Sequence, residues 1–309
     1  MKKPLKITLC ALGSLLVIAA LAVAALLWNS HRKINRVVDV AVAAVPYVNI
    51  VDLTKAAPAT EAVARGKYLF EARGCVECHG ANGAGKTVID DPMGLFVHGA
   101  NLTTGKSSAV LHYTERDWVR AIRHGVKPDG RAAFIMPSQD YNRFTDGDLA
   151  DLVAYIRALP PADGTGTEIH LPLLVKLVHG AGILKDAAEQ IDHSVPPSTP
   201  VPVAATVEHG RYVAQTCIGC HGAKLEGGPI AGAPPAWPPA ANLNGDQAGP
   251  MARYQSLEQF KTMLRTATRP DGSKVNSAMP FEALKLTNDT DIEAMFKYFK
   301  SLGGAEKNG

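Results

Sequence analysis

The sequence predicts an all-α protein: an N-terminal transmembrane helix followed by two tandem copies of one helical unit. Three observations carry this prediction. Ile7 to Trp28 is an uncharged run of 22 residues, preceded by Lys2, Lys3 and Lys6. Cys75-Val76-Glu77-Cys78-His79 and Cys217-Ile218-Gly219-Cys220-His221 repeat one pattern, C-x-x-C-H, 142 residues apart. The turn and cap residues around the two copies recur at a nearly constant offset, the mark of an internal duplication.

The apolar run comes first. Twenty-two residues are long enough to span a bilayer and longer than the usual core of a secretory signal. Ala20-Leu21-Ala22 and Ala22-Val23-Ala24 also fit a cleavage site, so residues 1–30 read as an anchor, with a removed signal as the alternative. Arg32, Lys33 and Arg36 follow the run as closely as the lysines precede it, so positive charge does not orient it. Residues 31–60 follow as an extended tether, because Val37 to Val51 mixes β-branched residues with Pro46 and has no helical period. The 309-residue chain has a net charge of +3, and residues 1–60 hold 7 Lys/Arg against 2 Asp/Glu. Residues 61–160 balance at 12 against 12, and 206–309 at 11 against 10, so neither unit offers a basic face for nucleic acid.

The C-x-x-C-H pattern is the attachment signature of c-type haem. Cysteines three apart lie one helical turn from each other, so both sulfurs reach the vinyl groups of one porphyrin. The adjacent histidine then offers a nitrogen to the iron. A C-x-x-C pair alone also fits half a zinc site or a redox dithiol. A zinc reading requires pairs 142 residues apart to converge, and leaves both histidines unexplained. Cys75, Cys78, Cys217 and Cys220 are therefore predicted to hold two covalent haem c groups, with His79 and His221 as iron ligands. The fifth cysteine, Cys10, lies in the apolar run, so no disulfide framework exists.

The repeat sets the remaining elements. Gly66-Lys67-Tyr68 answers Gly210-Arg211-Tyr212, and Asn101-Leu102 answers Asn242-Leu243. Thr114…Asp117 and Ser256…Gln259 have capping-box spacing and start a middle helix in each unit. Pro128-Asp129-Gly130 and Pro270-Asp271-Gly272 are turns by composition. Met136-Pro137 answers Met279-Pro280, and Leu149–Tyr155 answers Ile292–Tyr298 as the closing helix. The loops are long for so small a unit, unless a bound haem supplies the interior they lack.

This order of elements resembles class I cytochrome c, over about 200 of the 309 residues. The whole chain resembles the membrane-associated dihaem cytochromes c of bacterial respiratory chains. The resemblance implies cytochrome c domains at 61–163 and 206–303, a connecting segment at 164–205 and a tail at 304–309. It also implies that Met136 and Met279, 57 and 58 residues after their histidines, are the sixth iron ligands. Gly66 and Gly210 fall where the family's first and last helices cross. Tyr68, Tyr155, Tyr212 and Tyr298 read as packing on those helices, and Asn101 and Asn242 as either propionate partners or loop caps. His98, His112 and His124 have no counterpart in the second unit, and His170, His179, His193 and His209 are spread out without forming a ligand cluster.

Two six-coordinate irons have no open position for a substrate, so the expected function is the relay of single electrons. Donor and acceptor would be periplasmic or membrane redox proteins, with dehydrogenase or oxidase subunits as partners. The alternatives are a cytochrome subunit of a membrane-bound dehydrogenase complex and, behind it, a dihaem peroxidase or sulfur-compound oxidase. No nucleotide fingerprint or separate catalytic constellation is present. Haem is attached outside the cytoplasm, which predicts an inner-membrane protein with its haem domains in the periplasm.

Overall fold

The computed structural model describes residues 2–47, 57–230, 233, 237–244 and 249–303. The tail and the end of the tether, 48–56, lie outside these residues. The fold is mostly helical, with one departure from the expected all-α architecture. Strands β1 (Thr87–Asp90), β2 (Phe96–His98) and β3 (Glu168–His170) form a small antiparallel sheet in the order β1-β2-β3. Strands of three or four residues are too short to print an alternating pattern on the sequence. The sheet ties the long loop of the first unit to the segment between the units.

Helix α1 (Lys2–Ile34) runs six residues past Trp28 and includes the start of the expected tether. Within it an 18-residue window reaches a mean hydropathy of 2.7, and none of that window is buried. Residues 35–47 then lie against the first unit. The Val38 amide donates to Gly130 O at 2.8 Å, Val40 and Val45 are buried, and the Arg157 guanidinium sits 5.0 Å from the Tyr47 ring centre.

The first unit comprises α2 (Ala57–Ala72), α3 (Cys75–His79), α4 (Glu115–His124) and α5 (Asp146–Ala158). Thr114 caps α4 in a full capping box with Asp117, and the Thr145 hydroxyl caps α5. A connecting helix, α6 (Leu173–Gly180), precedes the second unit. That unit comprises α7 (Val207–Val213), α8 (Ile218–His221), α9 (Leu257–Thr266), α10 (Phe281–Leu284) and α11 (Asp289–Leu302). The Ser256 hydroxyl caps α9, but Gln259 returns its side chain to the Gln255 amide, one residue from the reciprocal bond of a capping box.

The first and last helices of each unit cross at a glycine. A Cβ on Gly66 would stand 1.9 Å from Asp151 O, and one on Gly210 would stand 2.0 Å from Ala294 O. Only a residue without a side chain lets the backbones approach so closely. Leu69, Phe70, Trp118, Leu149, Leu152 and Val153 build the first core, and Val213, Met251, Phe260, Leu264, Ile292 and Phe299 build the second.

The units dock through a pseudo-twofold polar interface that no single segment of sequence reveals. Tyr68 donates its hydroxyl to Asp291 at 2.6 Å, and Tyr212 donates to Asp148 at 2.6 Å. Each phenol oxygen also accepts a backbone N–H at a helix cap, from Asn288 and Thr145 respectively. Tyr68 and Tyr212 are thus more than packing residues. Asp291 is fully buried and further holds His209 at 2.7 Å and Arg73 at 3.4 Å.

Candidate haem-attachment sites

Both C-x-x-C-H segments are single turns of helix set between backbone bends. In the first, Gly74 has φ 82° and Gly80 φ 72°, conformations that favour glycine. In the second, Gly222 has φ 78° and closes α8 by donating its N–H to Ile218 O. The loop after each motif then folds back beneath it. Gly85 donates to His79 O at 2.9 Å, and Gly227 donates to His221 O at 2.8 Å. Gly99 passes so close that an added Cβ would lie 1.9 Å from Cys78 O.

This return positions a carbonyl against each histidine. His79 Nδ1 lies 2.8 Å from Ala100 O, and His221 Nδ1 lies 2.7 Å from Ala241 O. A carbonyl only accepts, so Nδ1 carries the proton in both rings and Nε2 keeps its lone pair. Burial pushes both imidazoles below the usual histidine range, with the carbonyl bond opposing it. Each histidine is thus held neutral, with one fixed tautomer and a free nitrogen, the form in which histidine binds a metal.

Cys75, Cys78, Cys217 and Cys220 form no disulfide with one another. Burial, with Cys78 beside it, pushes Cys75 up to about 12. Burial and the nearby Asp140 likewise push Cys217 up to about 12. A thiol held neutral by burial is a poor thiolate ligand for a metal. Among the described residues the cysteine pairs do not gather into one metal-sized cluster, which disposes of shared zinc.

Each Met-Pro methionine packs on the same apolar cluster as the attachment segment of its unit. Cys75, Val76, Leu102 and Met136 pack on the first core, and Cys217, Ile218, Leu243 and Met279 on the second. The Met-Pro backbones match as well. Pro137 has φ −80° and ψ 59°, Pro280 has φ −77° and ψ 71°, and each methionine carbonyl accepts a bond from two residues on. In each unit two sulfur-bearing segments therefore converge on one apolar cluster. Trp118 adds a buried indole N–H without a partner in the first core, the kind of orphaned donor that a bound polar group would satisfy.

The other candidates resolve into structural roles. The Asn101 side chain donates to Lys106 O and Ala162 O and accepts from Thr103, and Asn242 accepts from the Asn244 amide, so both hold their loops. Both ring nitrogens of His98 pair with threonine hydroxyls, and His112 is exposed. His124 and His193 meet at 3.0 Å, and burial with the His193 contact lowers His124 to about 4. One expectation needs correction. His179 lies with Asp186 and Glu189, ligand atoms within 4.8 Å of one another, which is a grouping of metal-ligand size. The sequence hides it because its members come from different turns. Arg36 already holds Asp186 through two bonds, and Lys33 holds Glu189 at 3.0 Å, so the cluster joins α1 to the connecting segment.

Comparison with known proteins agrees with this geometry. The Cytochrome c family model matches residues 63–160 and 207–303. The chain is 28% identical over 288 residues to the fructose dehydrogenase cytochrome subunit of Gluconobacter japonicus, covering 83% of this chain and 56% of that one. It is 28% identical over 276 residues to the gluconate 2-dehydrogenase cytochrome c subunit of Pantoea cypripedii, covering 79% and 60%. A diheme cytochrome c-type protein of Cereibacter sphaeroides is 30% identical over 114 residues, 34% of this chain and 38% of that one. The chain therefore spans less than two thirds of the length of these relatives. Two matched segments, each with its own attachment motif and oriented histidine, place the chain in the cytochrome c family, with two covalently bound haem c groups.

Proposed function

We propose that the protein is a membrane-anchored dihaem cytochrome that takes single electrons from a dehydrogenase partner and passes them to an acceptor on the periplasmic side of the inner membrane. The carrying observation is the matched pair of sites: in both units the attachment cysteines and a Met-Pro methionine pack on one apolar cluster, beside a histidine with a free Nε2. His79 with Met136, and His221 with Met279, are the axial ligands in this reading. Haem held between histidine and methionine supplies a one-electron couple of raised potential and no open coordination position. The protein's own part is to fix each imidazole through Ala100 O or Ala241 O and to keep water from the cores. The dehydrogenase partner follows from the names of the relatives, and α1 and the export that haem attachment requires support the location.

Met136→His and Met279→His test the ligands in the full-length holoprotein. Each variant should keep six-coordinate iron, lower the potential of its own haem and leave the other nearly unchanged. The near-infrared sulfur-to-iron band of the oxidised protein should fall by about half in each, because each site contributes one such bond. An intact band and unchanged potentials in both variants would place the ligands elsewhere.

A further inference from the structure

Helix α1 is not a free tether to the haem units. The end of α6 packs directly on it: an added Cβ at Gly180 would lie 2.0 Å from Leu26 O, and Asn29 Nδ2 donates to Gly180 O at 2.6 Å. Ser30 Oγ and His179 Nδ1 meet at 2.9 Å, both residues fully buried. Arg36 to Asp186 and Lys33 to Glu189 close the same junction from the other side. Leu26 belongs to the uncharged run that ends at Trp28. The C-terminal turn of α6 therefore sits level with the last apolar turns of α1, where a spanning helix leaves the hydrocarbon.

On and beside this helix the protein exposes large apolar side chains. Leu173 is 59%, Leu174 61% and Ile183 67% exposed, all on or beside α6. The β1–β2 turn joins them, since Gly94 comes against Pro172 and its neighbour Met93 is 76% exposed. Trp28, 69% exposed, ends the apolar run of α1 with an aromatic ring of the kind that settles at membrane interfaces. Soluble surfaces rarely gather such residues without a covering. Here the helix that carries them is packed on the end of the apolar run of α1.

We infer that α6, Ile183 and the Met93 turn form a second membrane contact, inserted into the lipid interface beside α1 on the haem side. The inference rests on the reading of α1 as an anchor. Because α1 is locked to the connecting segment by buried bonds, this seat fixes the attitude of both haem units to the bilayer. A single helix on a loose linker would leave them to swing. The occupant is lipid and not a second protein, because the helix that carries the patch is itself held against the last apolar turns of the anchor.

The full-length holoprotein is reconstituted in phosphatidylcholine–phosphatidylglycerol vesicles containing a phospholipid with a diazirine near the acyl carbonyl, irradiated and digested with trypsin. Adducts are expected on Ile7–Arg32 from α1, and equally on Thr87–Lys106, Ala158–Lys176 and Leu177–Lys185. Leu173→Glu/Leu174→Glu/Ile183→Glu should abolish those on the last two peptides, with α1 labelling and both haem spectra retained. Ile183→Glu alone is the milder variant if the triple change fails to fold, and should deplete Leu177–Lys185 alone. Adducts confined to Ile7–Arg32 would overturn the seat and leave the anchor standing. Absence of adducts from Ile7–Arg32 as well would overturn the anchor and the seat together. Vesicles without α6 adducts, combined with protection of α6 from aqueous labelling in native membranes, would assign the patch to a protein partner and overturn the lipid contact.

Discussion

The two units share a ligand pattern and differ in what leans against it. In the first, the turn Ser138–Asp140 after Met136-Pro137 reaches across the interface and sets Asp140 Oδ1 2.7 Å from the N–H of Gly219, between the two cysteines of the second motif. The reciprocal place holds Ala283, whose Cβ lies 3.9 Å from where a Gly74 Cβ would stand. One haem motif is thus faced by a buried carboxyl group and the other by a methyl group. The first unit is also wrapped by residues 35–47, by the sheet and by the connecting segment, and its Cys78 is half-buried where Cys220 is exposed. Duplication copied the chemistry of binding; docking made the two sites unequal.

The sharpest break should come at the interface aspartates. Burial raises Asp291, but Arg73, Tyr68 and His209 together hold it below the usual carboxylate range. Asp291→Ala would strand Arg73, only 7% exposed, as an uncompensated buried charge. A loss of about 3–5 kcal/mol is expected. Asp148→Ala removes the Tyr212 bond and a pair with the partly exposed Arg65, and should cost about 1–2 kcal/mol. Denaturant midpoints of the two holoprotein variants check this ranking, and equal losses would mean that the interface is symmetric in energy as well as in shape. A depressed carboxylate stabilises the fold above its ordinary value of 3.8, so the Asp291 contribution should fade as pH falls through the folded value.

A smaller contrast sits at the ends of the middle helices. Gly125 closes α4 with φ 63°, while the equivalent Ala267 closes α9 with φ 53°. A side chain in the left-handed region costs roughly 1–2 kcal/mol. Ala267→Gly should therefore stabilise the second unit by about 1 kcal/mol, less the backbone entropy that glycine loses on folding. Gly125→Ala should do the opposite and more, because its Cβ would stand 2.6 Å from the Ala187 Cβ. Thermal midpoints of the two variants should move in opposite directions.

Much of this was legible in the sequence because it is local. The C-x-x-C-H pairs, the caps at Thr114 and Ser256 and the turns at Gly130 and Gly272 each depend on residues within a few positions of one another, and the duplication printed most of them twice. What was not legible depends on contacts between distant segments. Nothing adjacent to Tyr68 announces Asp291, 223 residues on. The histidine tautomers rest on Ala100 and Ala241 carbonyls, which any residue type could have supplied. The sheet was hidden by the brevity of its strands, and the grip of α6 on Leu26 by the 154 positions that separate Gly180 from Leu26 in segments read independently as anchor and connecting segment.

Asp140 offers the finest test of the inequality between the units. Burial raises its carboxyl to about 7, with the Gly219 N–H pulling the other way, and Tyr141, Cys217 and Cys220 are its titratable neighbours. Arg73 lies close enough to act on Cys217 and Tyr141 without pairing with Asp140. An ionised carboxylate beside the second attachment motif favours ferric over ferrous iron, so the potential of the second haem should fall as pH rises through about 7. The slope must stay below about 59 mV per pH unit, the limit for one proton per electron. A raised carboxyl pKa also means that stability declines as pH climbs from 3.8 towards 7, because the folded state resists ionisation. Asp140→Asn keeps the amide-accepting oxygen and removes the charge. It should flatten the pH dependence of the second haem, raise its potential at pH 8 and leave the first haem, faced by Ala283, unmoved. Spectroelectrochemical titration of the wild type and the variant between pH 5 and 9, with each haem identified through Met136→His and Met279→His, makes the comparison. A slope that survives in Asp140→Asn, or that appears equally on both haems, would mean that the carboxyl group across the interface is not what sets the two sites apart.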